Sequence, residues 1–446
     1  MTQIFALHSA YGLATAAAAI DDGLIGGDEE RVLVPFHSAR IPEISRGIVA
    51  DPALRSLRAR FDRVEDLDEL LGTVHPSSWR PRDADLPVLG RLLVRAWRLD
   101  PRDVELFVQS PQVAPARTLM SLFPGARITI VDDGLMTYAP MRVALPHTVA
   151  ARIVQVVHAD VVPGVVPLAG APYAAAVPVP PASFGAVLNE TAGDEALPEG
   201  DGATVLVLGQ YLAALGLVTE AEEVAMQVEM IDRAAAWSPE RIVFKPHPSA
   251  PPRFAEALRT RAAAHGAGFA EYRGRLAAEL LAERLDARAV VAGFSTALPT
   301  VRALHGREIG SAGVETVLAR LTPFENSNRI PATIVDALTR TDARWADAVA
   351  LQQLVDAVGY AMQPEIAAHL RPRAEALLEG LEPAERDRYF APARLAALRL
   401  PGAPAPTPVQ RALRPAGGVG RMEELKLTAL GVRRRAGRAW KAIRGR

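Results

Sequence analysis

The stretch Arg241-Ile242-Val243-Phe244-Lys245-Pro246-His247-Pro248-Ser249 decides how the rest of the chain is read. Its apolar part, Ile242 to Phe244, reads as a buried strand, and the prolines behind it can neither extend a ladder nor begin a helix at once. The strand must stop at Lys245. That leaves a cation, an imidazole and a hydroxyl on a stiff turn at a strand's carboxyl end, where open α/β sheets bind their ligands. Arginine supplies almost every other positive charge, because the chain has three lysines and the other two, Lys426 and Lys441, lie near its end. A lone ammonium here fits a task that needs a compact charge with rotatable donors. The alternative is a surface turn that happens to hold a lysine.

Outward from this turn the same grammar repeats in both directions. Upstream, short apolar runs at 3–7, 31–36, 104–108, 127–131 and 153–157 read as strands. Helical periodicity between them, at 13–22, 66–72, 87–99 and 114–123, predicts a parallel, doubly wound sheet. Around the turn itself, runs at 204–208 and 287–291 read as strands, and helices are expected at 219–236, 253–265 and 276–284. Thr219-Glu220-Ala221-Glu222 is a capping box for the first of these. Residues 163–202 are rich in Pro, Ala and Gly without a clear period, which predicts an interdomain linker. The expected organisation is an α/β domain over 1–162, that linker, a second α/β domain over 203–332, helices over 333–400, and a Pro/Gly-rich linker with a basic tail over 401–446.

Composition bounds the function. A chain of 446 residues is too long for one ordinary core and suits two domains of about 200 residues each. Its 49% hydrophobic and 23% charged residues are ordinary for an ordered globular protein, so disorder over most of the length is not expected. The absence of cysteine excludes disulfides, thiolate metal sites and cysteine nucleophiles. A formal net charge of -1 gives no general reason for nucleic acid binding. Residues 421–446, however, hold nine Lys or Arg against two Glu, interleaved with Leu and Trp, a composition found in interfacial helices. With no 20-residue apolar segment and a start that goes straight into a strand, the expected location is cytoplasmic, with peripheral contact at the inner face of the membrane through that tail.

Three loops at strand ends carry the chemistry: Asp132-Asp133-Gly134 in the first half, and Lys245-Pro246-His247-Pro248 and Ser295-Thr296 in the second. An acidic pair before Gly is common in turns, so each signal alone is weak. In this order over two α/β domains, the acid-acid-Gly, His-Pro and Ser/Thr motifs resemble those of the bacterial sialyltransferases and alpha-2,8-polysialyltransferases. The resemblance covers roughly residues 3–331. It implies a GT-B architecture, in which two Rossmann-like α/β domains with parallel sheets face each other across a cleft, with a helical C-terminal extension.

The same resemblance implies an inverting transfer of sialic acid from CMP-sialic acid to a glycan hydroxyl, without metal or other cofactor. Asp133 would be the general base, with Asp132 supporting it, and His247 would contact the donor phosphate and act as acid. Lys245, Pro248, Glu279, Ser295 and Thr296 would hold the donor nucleotide. His8 and Ser9 fit the family's first strand-end loop on the acceptor side, and Glu43 is a further candidate there. The residue types suit the chemistry, since displacement at an anomeric carbon needs a base for the acceptor proton and donors for the departing phosphate. Arg329, a cation in the polar stretch 323–331, is a candidate for the sugar carboxylate.

Two rivals share part of the pattern. Glycerophosphotransferases using CDP-glycerol also carry a Lys-Pro-His-Pro turn and a late serine pair, and a non-catalytic nucleotide-sugar binder acting as a scaffold is the other alternative. No HExxH spacing or GxGxxG fingerprint supports zinc or NAD chemistry. His75-Pro76-Ser77 repeats the His247 tripeptide but follows no strand, and reads as a loop.

Overall fold

The computed structural model describes residues 1–27, 29–38, 47–214, 216–247, 255–340 and 343–404. Glu43, Pro248 and the basic tail lie outside the described residues. Among these residues seven strands form a first sheet: β1 (Thr2–Leu7), β2 (Glu30–Pro35), β3 (Arg63–Val64), β4 (Val104–Gln109), β5 (Arg127–Val131), β6 (Ile153–Ala159) and β7 (Ala175–Val179). A second sheet has five: β8 (Thr204–Leu208), β9 (Arg241–Lys245), β10 (Gly268–Glu271), β11 (Ala289–Ala292) and β12 (Glu308–Ser311). All neighbouring strands run parallel.

Both sheets are wound alike, in the orders β3-β2-β1-β4-β5-β6-β7 and β10-β9-β8-β11-β12. Each begins at an interior strand, winds to one edge, returns, and winds to the other. The reversal falls between β1 and β4 in the first sheet and between β8 and β11 in the second, and such a reversal opens a crevice at the strands' carboxyl ends.

Parallel sheets are covered on both faces, and alternate side chains serve the two layers. Phe5 and Leu7 of β1 join Leu33, Phe107 and Val157 in one layer, whereas Ile4 and Ala6 join Val34, Val108 and Ile130 in the other. The first layer continues into Leu206, Leu208, Val243 and Val290 of the second sheet, so one apolar core joins the two domains. The second sheet's other face has its own cluster around Val205, Ile231, Ile242 and Phe244. Fully buried Ala16 to Ala19 let the Ala10–Asp21 helix lie close against the first core.

The structure corrects the reading of 163–202 as a linker. Within it β7 adds a parallel edge strand to β6, and Pro181–Asn189 forms a helix against Ala10–Asp21. Pro178 hid the strand, because a proline interrupts a ladder everywhere except at such an edge. The helix also reaches the second domain, where Gly185 faces Leu304. Strands β3, β10 and β12 went unread because two to four residues are too few to show a period.

Helices follow at Arg329–Thr339, Ala348–Met362, Arg371–Glu379, Pro383–Tyr389 and Pro392–Leu398. The first of them begins inside the stretch read as a polar loop, with Pro331 tolerated in its first turn. The extension returns to the first domain, where Gln352 accepts from Val166 N–H (2.5 Å) and donates to its carbonyl (3.3 Å). In the second domain Arg388 donates twice to buried Asp336 (2.6 and 2.7 Å) and once to Glu315 (2.8 Å). The extension thus ties both domains together. No helix among the described residues is long and apolar enough to cross a membrane.

Candidate active site

At the first reversal the ends of β1 and β4 lie side by side, and Gln109, the last residue of β4, fills the crevice. Its Oε1 accepts from the backbone N–H of His8 (3.1 Å) and of Ser9 (3.2 Å). Its Nε2 lies within reach of Ser9 Oγ (2.6 Å), the Asp132 carbonyl (3.1 Å) and Asp133 Oδ1 (3.2 Å). A Cβ on Gly12 would stand 2.6 Å from this amide, so the glutamine can enter only because residue 12 has none. Ser110 follows in left-handed backbone (φ 55°) and donates its hydroxyl to Asp133 Oδ2 (2.7 Å). On the other side of that hydroxyl, His8 Nε2 lies 3.1 Å away.

The two aspartates have separate tasks. Asp132 is buried, accepting from the Thr137 hydroxyl (2.6 Å) and Ala159 N–H (3.0 Å), while Asp133 N–H donates to the same Thr137 oxygen (2.8 Å). Burial pushes the Asp132 carboxyl up to about 7, with those two donors acting against it. Asp132 therefore fixes the loop from within, and Asp133 presents its carboxylate at the cleft. The sequence reading had ended the strand at Val108 and passed over Gln109 and Ser110. The signal was present in a polar Gln-Ser pair directly after an apolar run.

The second reversal joins the ends of β8 and β11. Gln210 Oε1 accepts from Phe294 N–H (3.1 Å), and a Cβ on Gly293 would come 1.9 Å from that oxygen. Beside it, Lys245 ends β9, donating through Nζ to the Gly274 carbonyl (3.0 Å) and standing 5.0 Å over the Tyr272 ring. Tyr272 donates its hydroxyl to Glu195 (2.5 Å), which also accepts from Arg275 N–H (2.6 Å). Glu195 comes from the stretch read as a linker, and no sequence signal marked it.

Burial lowers the Lys245 ammonium, against the opposing charges of Glu195 and Glu279, and burial raises the Glu279 carboxyl. Ser295 Oγ accepts from Ala297 N–H (3.2 Å) at the start of the Ala297–His305 helix, which leaves the hydroxyl proton to donate. His247 is exposed on the turn after β9, yet the atoms packed around its ring still push the imidazole below its ordinary value.

The fold brings the halves together at these loops. Gly134 holds a positive φ (64°), and a Cβ there would stand 3.0 Å from Thr296 Cγ2, so the Asp133 loop lies directly over Ser295-Thr296. Asp133 and Ser110 line a cavity with Met136, Arg142 and Ser327. Gln112 connects it to a neighbouring cavity of about 630 Å³ edged by Arg80 and Arg117. Arg329 is not available to a ligand: it is buried, with its guanidinium donating to the carbonyls of Phe324 (2.9 Å), Leu318 (3.2 Å) and Leu321 (2.7 Å). His75 caps a 3-10 turn, accepting from Ser77 N–H (3.2 Å), as expected of a loop. Among the described residues no group of three or more His, Asp or Glu side chains is arranged to hold a metal ion.

Two parallel-sheet domains meeting at paired strand-end loops, with a helical extension, form the GT-B arrangement. The sequence model of the alpha-2,8-polysialyltransferase (POLYST) family matches residues 3–308, and the chain belongs to that family. No curated protein matches it. Solved structures similar to it include a glycosyltransferase from Rickettsia africae, with 10% identity over 89% of this chain and 96% of that one and a TM-score of 0.36. Another is the E. coli heptosyltransferase WaaC with ADP, with 15% identity over 70% and 86% and a TM-score of 0.28. A third is Acinetobacter baumannii MurG, with 9% identity over 83% and 97% and a TM-score of 0.35.

Proposed function

We propose that the protein transfers sialic acid from CMP-sialic acid, with inversion and without a metal, to a hydroxyl of a glycan acceptor. The observation that carries this reading is the Asp133 carboxylate, held by Ser110 and Gln109 on a loop whose Gly134 touches Thr296 across the cleft. In a single displacement the acceptor oxygen attacks the anomeric carbon as Asp133 takes its proton. The bond from that carbon to the phosphate oxygen breaks, and its electron pair leaves with CMP.

The groups that meet this growing charge lie in the second half. His247, the Ser295 hydroxyl and the N-terminus of the Ala297–His305 helix would receive the phosphate, stabilising it more as the bond breaks than before. Lys245 would meet the cytosine or ribose, and Glu279 would accept from the ribose hydroxyls. On the acceptor side, the 630 Å³ cavity is within the usual range of about 300–1,000 Å³ for ligand sites, and its arginines suit an anionic glycan. Contact of residues 421–446 with an anionic membrane surface belongs to the same reading, and unchanged liposome partitioning after their deletion would remove it.

Calorimetric titration with CMP, CDP, UDP and GDP in EDTA, followed by a transfer assay of the wild type and Asp133→Asn, tests the reading. The expected result is selective CMP binding retained in both proteins, with transfer from CMP-sialic acid lowered about a thousandfold in Asp133→Asn. Preference for CDP would instead favour transfer of glycerol phosphate. Nucleotide binding without any transfer would favour a binding protein.

A further inference from the structure

The crevice between β1 and β4 holds a titratable group that the displacement leaves unused. His8 sits on the opposite side of the Ser110 hydroxyl from Asp133, at 3.1 Å against 2.7 Å, and one hydroxyl proton can serve only one of the two at a time. Ser110 is fixed in this position by a left-handed backbone (φ 55°), and His8 by Gln109, which binds its N–H, and by Phe36, whose ring centroid is 5.2 Å from its own. The ends of three strands thus bring a carboxylate, a hydroxyl and an imidazole into one hydrogen-bonded chain.

We propose that Ser110 and His8 form a relay that drains the acceptor's proton from Asp133, an inference that rests on Asp133 being the base. Once the new carbon–oxygen bond has formed, the protonated Asp133 gives its proton to Ser110 Oγ while the Ser110 proton passes to His8 Nε2. The products are a carboxylate, an unchanged serine and an imidazolium, which then loses its proton to water. No bond other than these O–H and N–H bonds changes, and no co-reactant is consumed. The carboxylate is restored, ready for another acceptor.

The surroundings of His8 suit this task. Burial holds its imidazole below the ordinary value, while the charge of Asp133 and a hydrogen bond of the ring to the residue's own backbone act the other way. The ring is therefore neutral near pH 7 and able to accept. Asp133 is the charged group acting on it; the neighbours at the ends of β2 and β4, Phe36, Gln109 and Ser110, are uncharged. His8 and Ser110 are positioning residues in this scheme, since neither touches the reacting atoms.

The test combines kcat–pH profiles of the wild type, His8→Gln and Ser110→Ala with NMR titration of isotope-labelled His8 in the wild type and Asp133→Asn. In the wild type, kcat should fall on the acid side at the pH where His8 itself is seen to titrate. His8→Gln should lose that limb and about tenfold of the plateau kcat with KM unchanged. Ser110→Ala should lose the same limb although its His8 still titrates. Asp133→Asn should shift the His8 titration to lower pH, as removal of a neighbouring anion requires. A limb retained at that same pH in His8→Gln, or a wild-type profile with no limb at the pH of the His8 titration, overturns the relay. Transfer retained in Asp133→Asn overturns instead the assignment of the base on which it rests.

Discussion

Both reversals of strand order are braced by a glutamine, and the two glutamines point in opposite senses. In the first domain Gln109 reaches from the outgoing strand β4 back to the loop after β1, while in the second Gln210 reaches from the loop after β8 out to the loop after β11. Each needs a glycine opposite it, Gly12 at 2.6 Å and Gly293 at 1.9 Å from where a Cβ would stand. The difference lies in how much the amide holds. Gln109 gathers two backbone N–H groups, a hydroxyl, a carbonyl and a carboxylate, so its crevice is filled by the protein's own network and fixes one side chain for chemistry. Gln210 Oε1 satisfies one N–H, that of Phe294. On the function proposed above, the filled opening would position the base and the emptier one would receive the nucleotide.

Breaking the two braces should give unequal effects. Gln109→Leu strands the His8 and Ser9 N–H groups together and should cost about 2–4 kcal/mol, read as a lowered midpoint in urea unfolding, with transfer lost in the protein that remains folded. An unchanged midpoint would show that the network is ornamental. Asp132→Asn sets an amide donor against either the Thr137 hydroxyl or Ala159 N–H. It should cost about 1–3 kcal/mol at pH 7, with transfer per folded molecule much less affected than in Asp133→Asn. Equal losses of activity in the two variants would contradict the division of labour drawn here.

Gln210→Leu strands a single N–H and should cost about 1 kcal/mol, with weaker CMP binding as the larger effect. The smallest effect expected is a proton linkage at His247. Its imidazole is held below the ordinary value in the free protein, and a bound phosphate would raise it, so binding takes up a proton. CMP affinity should therefore fall as pH rises from the free value towards the bound one, by at most about tenfold per pH unit, and His247→Gln should flatten the curve. A slope unchanged in that variant would remove His247 from the phosphate.

Much of the fold could be read from the sequence because the signals are local. Apolar runs such as Val205 to Leu208 announce fully buried strands, Thr219 and Glu222 announce a capped helix, and the prolines after Lys245 announce where β9 must stop. The motif residues followed for the same reason, as each sits at a strand end that the hydrophobic pattern already marks. Short or interrupted strands gave no such pattern, and β7 with its Pro178 was taken for a connection. Arg329 shows the opposite error, a polar composition read as an open loop where the side chain is buried among carbonyls.

The sequence by itself determined two parallel α/β domains, the order of their strand-end loops and the residue types those loops carry. Only the tertiary structure gave the physical reason why Asp133 faces the cleft and Asp132 does not, since Thr137 and Ala159 claim Asp132. It also decided that His8, about 100 positions before Gln109 and Ser110 in the chain, joins them and Asp133 in one network. Hydrophobic periodicity is a property of neighbours along the chain, whereas a site is made where the winding order of a sheet reverses and distant strand ends become neighbours in space.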